Sequence, residues 1–196
     1  MTRLSREFYL QDTLTVARDL LGKSLTFVRE GIRLSGMIVE TEAYLGEIDL
    51  ACHSSKGRTR RTEVMYGEAG HAYVYLIYGI HELFNVVTRP KGHPEAVLIR
   101  ALEPLESLEV MKSNYPPKNT GQKLCNGPGK LTKALGITRK YNGHDLLNDP
   151  LWIEPYKTIR PEEIVASKRI GLKCAKEWQD KDYRFHIKSS PFVSKG

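Results

Sequence analysis

The run Leu34-Ser-Gly-Met-Ile-Val-Glu-Thr-Glu-Ala-Tyr44 reads as a β-strand, and its second half carries the chemistry. In Val39-Glu-Thr-Glu-Ala-Tyr44 the two-residue period of a strand puts Glu40, Glu42 and Tyr44 on one face and Val39, Thr41 and Ala43 on the other. Two carboxylates that close raise one pKa or need a cation beside them. The array therefore points to a metal site or to acid–base chemistry at a glycosidic or phosphoryl centre. Taken alone, it is also the pattern of an exposed edge strand carrying two solvated glutamates.

Working outward, Ala72–Tyr78, Leu83–Thr88, Ala96–Leu102 and Tyr183–Ile187 are rich in Val, Ile, Tyr and Phe and read as further strands. The first two of these lie close enough to form a hairpin. Leu14, Ala17, Leu20 and Leu21 recur at helical spacing and predict a helix of about ten residues, ended by Gly22. Gly127-Pro128 opens another, which carries Leu131, Ala134 and Leu135 and stops at Gly136. Ser113–Gln122, with two consecutive prolines, reads as a surface loop. The pattern is that of an α+β fold, and its length suits one domain over residues 1–196.

The formal net charge of +7 draws the chain to polyphosphate surfaces, so nucleic acid is a reasonable partner. Cys52, Cys125 and Cys174 stand far apart with no C-x-x-C pair, which excludes a zinc knuckle or a disulfide framework and fits a reducing, cytoplasmic setting. Neither a signal peptide nor an apolar run of membrane-spanning length is present, and a soluble protein is expected.

Arg100 interrupts the apolar strand Ala96-Val-Leu-Ile-Arg-Ala-Leu102. A guanidinium cannot shed its charge and should find a carboxylate there, Glu42 or Glu40. In Tyr73-Val-Tyr-Leu-Ile-Tyr78-Gly79, alternation sets Tyr73 and Tyr75 on one face, while Tyr78 projects at the hairpin end. An aromatic platform with a wedge is what base extrusion requires, because a flat or apolar side chain refills the gap left in the stack. His53 follows the carboxylate strand in a loop, and Lys56, Arg58, Arg60 and Arg61 make a compact cationic cluster suited to phosphate contacts.

Together these segments resemble the alkyladenine (3-methyladenine) DNA glycosylase family, in order and spacing, across nearly the whole chain. The resemblance rests on Val39-Glu-Thr-Glu-Ala-Tyr-Leu-Gly46, Ala51-Cys-His-Ser54, Tyr73-Val-Tyr-Leu-Ile-Tyr-Gly79, Asn85, Leu98-Ile-Arg-Ala-Leu-Glu-Pro104 and Leu124-Cys-Asn-Gly-Pro-Gly-Lys-Leu131. Arg169-Ile-Gly171 and Ser190-Pro-Phe-Val193 extend it. It implies that Glu42 is the general base toward an attacking water, that Arg100 helps hold that water and the carboxylate, and that the Ile170 backbone carbonyl also contacts the water. It implies further that Tyr44, His53 and Tyr75 sandwich the flipped base, that Tyr78 intercalates in its place, and that Asn85 clashes with the amino group of guanine.

The fold implied is a curved, mainly antiparallel sheet with flanking helices and a protruding hairpin. The activity implied is excision of 3-methyladenine, 7-methylguanine, hypoxanthine or ethenoadenine from duplex DNA, leaving an abasic site, with no lyase step, no cofactor and no metal. The short N-terminus suggests a compact, bacterial-type monomer acting at the nucleoid. The loop Arg89–Pro94 and residues 80–84 depart from the pattern, which bears on lesion preference and DNA grip. Two other classes remain compatible with the residues alone: a divalent-metal phosphoesterase using Glu40, Glu42, Asp49 and His53, and a non-catalytic nucleic-acid binding module.

Overall fold

A computed structural model describes residues 2–115, 123–172 and 176–195. Two short helices, α1 (Arg6–Leu10) and α2 (Thr13–Asp19), precede the strands β1 (Ser24–Arg29) and β2 (Ile32–Tyr44). After three 3-10 turns come β3 (Ala72–Ile77), β4 (His81–Thr88) and β5 (Glu95–Glu106), then the helices α3 (Leu108–Ser113) and α4 (Pro128–Leu135). The strands β6 (Leu151–Glu154) and β7 (Ile164–Ser167), the helix α5 (Lys176–Gln179) and the strand β8 (Arg184–Ile187) complete the described α-helices and strands.

All eight described strands join one antiparallel sheet in the order β3-β4-β5-β2-β1-β6, with β8 on β2 and β7 on β8. One edge of β2 is shared: β1 pairs it as far as Met37, and β8 takes over from Glu40 to Glu42. Its other edge runs along β5, where register shifts at Ser35/Gly36, Ile38/Glu40 and Glu40/Thr41 bend the pair and curl the sheet. β2 is thus the middle of the sheet, and the exposed-edge reading of its glutamates is excluded: Glu40 and Glu42 are both fully buried.

The helix expected over about ten residues is shorter, seven, because Asp12 caps it at one end and the chain must turn at Gly22 at the other. Gly22 has φ +83°, and a Cβ there would lie 2.4 Å from the Lys157 carbonyl oxygen, so only glycine fits. Val16, Ala17, Leu20 and Leu21 go into the core, and Thr41 Oγ1 donates to the Ala17 carbonyl, tying α2 to β2. α4 is as expected: Leu131, Ala134 and Leu135 are buried and Gly136 closes it in the left-handed conformation. Thr132 Oγ1 donates to the Glu82 carbonyl and fixes α4 against β4.

β3 stops at Ile77, one residue short of the expected end, because Tyr78 and Gly79 both turn to positive φ (53° and 72°). Ser113 belongs to α3 rather than to a loop, while residues 116–122 of the expected loop, and Cys174, lie outside the described residues. Cys52 and Cys125 are buried free thiols. Among the described residues no helix is long and apolar enough to cross a membrane.

Candidate active site

Two bulges build the centre. The β2–β5 register pairs Ile38 with Leu102, Glu40 with Ala101 and Thr41 with Ile99, so Val39 is the extra residue on β2 and Arg100 the extra residue on β5. A bulged residue is re-aimed relative to its neighbours. Arg100 thereby reaches both carboxylates: its Nε donates to Glu40 Oε1 at 3.0 Å and its Nη1 lies 3.3 Å from Glu42 Oε1. The sequence leaves the choice between them open, and the structure uses both.

The two glutamates are nonetheless unlike. Burial alone would raise the pKa of Glu40, but Arg100, the Ser194 amide and Arg184 outweigh it and hold the carboxyl below its ordinary range. Its Oε1 accepts from Arg184 Nε at 2.7 Å and Ser194 Oγ at 2.8 Å, and its Oε2 from the Ser194 amide at 2.7 Å. For Glu42 burial prevails, and the pKa is raised despite Arg100, the Ile170 amide and the Tyr44 hydroxyl. Fewer donors serve it: the Ile170 amide donates to Oε1 at 2.7 Å and the Tyr44 hydroxyl to Oε2 at 2.8 Å. Four donors satisfy both oxygens of Glu40, whereas Glu42, with fewer, holds a proton more readily than an ordinary carboxylate.

Ile170 owes its place to its neighbour. The Arg169 side chain is fully buried, and its two terminal nitrogens bridge both oxygens of Asp49, one at 2.9 Å. The same guanidinium donates to the Ala43 carbonyl at 2.9 Å and lies 4.7 Å from the centroid of the Tyr44 ring. Asp49 in turn accepts from the amides of Leu45 and Ala51. A single buried ion pair thus fixes the ring that covers Glu42 and the amide that bonds it.

Beside this centre opens a cavity of about 630 Å³, within the range of small-molecule sites, lined by Tyr44, His53, Tyr75, Asn85, Arg100 and Ile170 among others. His53 packs edge-on to Tyr75, with centroids 4.5 Å apart, and Tyr73 lies 5.2 Å from Tyr75. His53 Nδ1 is 2.9 Å from the Tyr73 hydroxyl and Nε2 is 3.2 Å from Arg61 Nη2. Since arginine only donates, Nε2 must accept, so the ring proton sits on Nδ1 and is donated to Tyr73. Burial first, and Arg61 second, bring the His53 pKa down to about 4, and the ring is neutral at physiological pH.

Asn85, buried opposite Tyr73 in the hairpin ladder, donates from Nδ2 to the Tyr73 carbonyl at 3.1 Å. That bond fixes which end of the amide faces the strand, since a carbonyl only accepts. Tyr78 stands at the hairpin tip, 82% exposed, on the rim of the same cavity, with Ile80 exposed beside it.

A profile of the methylpurine-DNA glycosylase family matches residues 7–191. The chain belongs to the methylpurine-DNA glycosylase family. Relatives whose names assign them, provisionally, as 3-methyladenine DNA glycosylases agree over full length. One from Methanocella arvoryzae is 49% identical over 196 residues, covering 100% of this chain and 97% of the relative. Another from Desulfitobacterium hafniense is 48% identical, covering 99% of each chain. A third, from Legionella pneumophila strain Lens, is 49% identical, covering 100% of each.

The four cations of the basic loop lie in different surroundings. Of the four cations read as phosphate contacts, Arg58 is engaged within the protein, bonded through Nε and Nη2 to both oxygens of Glu63. Arg61 packs on two of the residues that line the pocket, its guanidinium 5.0 Å from the Tyr75 ring centroid and its Nη2 3.2 Å from His53 Nε2. Lys56 and Arg60 are exposed. The ligand set of the metal alternative does not converge: Asp49 is held by Arg169, Glu40 by Arg100 and Arg184, and His53 by Tyr73 and Arg61. Among the described residues no group of three or more His, Cys, Asp or Glu could hold a metal ion.

Arg184 and Ser194 were not singled out in the sequence, nor was the Arg169–Asp49 pair. Arg169 offered a signal in standing directly before Ile170, whereas Arg184 and Ser194 find Glu40 only across more than a hundred residues of chain.

Proposed function

We propose that this chain is a DNA glycosylase that rotates a damaged purine out of duplex DNA and hydrolyses its N-glycosidic bond, leaving an abasic site. The observation that carries the reading is a buried carboxylate of raised pKa, Glu42, bonded by Arg100, Tyr44 and the Ile170 amide, three residues that line an aromatic cavity. Tyr78, exposed and held at the hairpin tip, fills the gap in the stack, while Tyr44, His53 and Tyr75 contact the extruded base. Asn85 stands where an exocyclic amino group would meet it.

As the bond between the sugar C1′ and the purine nitrogen lengthens, its electrons go to the base and positive charge grows on the sugar. Ionised Glu42 stabilises that charge and accepts a proton from water, whose oxygen bonds to C1′. The water reaches the carboxylate between Arg100, which lines the cavity, and the Tyr44 hydroxyl. The Ile170 amide orients Glu42 in this scheme, and the Ile170 carbonyl accepts from the water. Neutral His53 cannot act as an acid at physiological pH; it shapes the pocket and donates from Nδ1.

The substrates are alkylated or deaminated purines, of the 3-methyladenine, 7-methylguanine, hypoxanthine and ethenoadenine class. The enzyme works as a cytoplasmic monomer at the nucleoid, with neither cofactor nor metal. Since the attacking group is water, no Schiff base forms and no strand is nicked. The test is cleavage of an end-labelled duplex carrying one hypoxanthine or one 7-methylguanine, in EDTA, with and without later hot alkali. Breaks that appear only after alkali support the reading; breaks without alkali, or none on any such lesion, overturn it.

A further inference from the structure

Both tyrosines offered to the extruded base already carry a cation on the ring. Arg169 lies 4.7 Å from the Tyr44 centroid and Arg61 lies 5.0 Å from the Tyr75 centroid. The two arginines differ in their compensation. Arg169 is neutralised by Asp49 in a fully buried pair. Arg61 is exposed, rests on His53 Nε2, and makes no ion pair with a carboxylate among the described residues. The cavity offers no relief, since no Asp or Glu is among the described residues that line it, whereas Arg100, Lys130 and Lys195 are. Arg100 is matched by Glu40 and Glu42, while Lys130 bonds Asn126.

A purine methylated at ring nitrogen 3 or 7 is a cation, whereas hypoxanthine and ethenoadenine are neutral. An aromatic face attracts a cation through its quadrupole, and a guanidinium already on that ring spends part of the attraction and adds direct repulsion. We propose that Arg61 is a specificity residue of the base pocket, whose charge on the Tyr75–His53 pair disfavours cationic purines relative to neutral ones. This inference rests on the glycosylase reading of the site and adds to it a determinant of lesion class. It also reassigns Arg61: the residue acts on the base and not on the phosphate backbone.

Two duplexes identical but for a central hypoxanthine or 7-methylguanine separate these roles. Single-turnover kcat/KM is measured on both for wild type, Arg61→Gln, Arg61→Lys and Arg60→Gln, at two salt concentrations. Arg61→Gln keeps a donor for His53 and removes the charge. It is expected to raise the ratio of 7-methylguanine to hypoxanthine cleavage by about three- to tenfold, from the loss of an exposed cation–π competitor and its repulsion. Arg61→Lys keeps the wild-type ratio, and Arg60→Gln lowers both substrates together. Equal loss on both lesions with Arg61→Gln, accompanied by a weaker salt dependence, makes Arg61 a phosphate contact and overturns the inference alone. A wild type that cleaves neither duplex overturns the reading of the site beneath it.

Discussion

Replacing Asp49 by Asn removes one charge from a buried pair and leaves the Arg169 guanidinium without a counter-ion, in a position where neither side chain has any exposed surface. Breaking a buried pair on one side costs about 3–5 kcal/mol, because the surviving charge is unpaired. For a domain of this size each kcal/mol moves Tm by about 2–4 °C, so the melting midpoint should fall by about 6–20 °C. The catalytic cost has a separate origin. Arg169 braces the Tyr44 ring and precedes the amide that bonds Glu42, and a displacement of about 1 Å at such a centre costs about a hundredfold in rate.

The double variant Asp49→Asn/Arg169→Met separates the two effects. With no buried charge left, most of the lost stability should return, whereas the rate should stay low because nothing holds Tyr44 and Ile170 in place. Calorimetry and single-turnover cleavage measure both on the same samples. A single variant that melts within about 2 °C of wild type, or a double variant that regains activity along with stability, would refute the assignment of this pair as the brace of the site.

Further outcomes follow from other parts of the structure. Tyr78→Ala, at an 82% exposed position, should leave Tm essentially unchanged, since surface changes stay within about 0.5 kcal/mol, yet impair extrusion as read by the fluorescence of 2-aminopurine placed beside the lesion. Glu40 is held below its ordinary pKa, so its contribution to stability is present above about pH 4.3, the unfolded value, and is lost as pH falls through the folded value. Glu40→Gln should therefore flatten the acid limb of a Tm–pH curve. Glu42 has the opposite sign: its raised pKa means the ionised form costs stability, so the acid limb of activity should lie above the usual carboxylate range, without a step from His53 near pH 6.5. Removing both Lys56 and Arg60 should lower the slope of log binding constant against log salt by about 0.9 for each phosphate that is no longer neutralised; an unchanged slope removes them from the DNA interface.

The features legible in the sequence were those carried by local pattern. Alternation placed Glu40, Glu42 and Tyr44 on a common surface, and an arginine inside an apolar strand announced a carboxylate partner. Neither bulge was visible, since a bulge is a property of two strands in register, and so the sharing of Arg100 between two glutamates was not legible. β6 and β7, four residues each, are too short for periodicity to register, and β1 lay in the shadow of the helix and turn before it. The surroundings of the basic cluster were not legible for a related reason. Charge composition suggests phosphate, but Arg58 meets Glu63 across the turn at residues 60–62 and Arg61 meets Tyr75 from another element, both decided by folding.

That Glu42 is the base toward water is most directly tested by Glu42→Gln, measured by single-turnover cleavage of hypoxanthine DNA together with affinity for the same duplex and Tm. Loss of a general base costs about 10²–10⁴ in rate. The account predicts a fall of that size with affinity within a few-fold of wild type and Tm equal or higher, since an ionised carboxylate has been removed from a buried position. Cleavage retained within tenfold of wild type would contradict it.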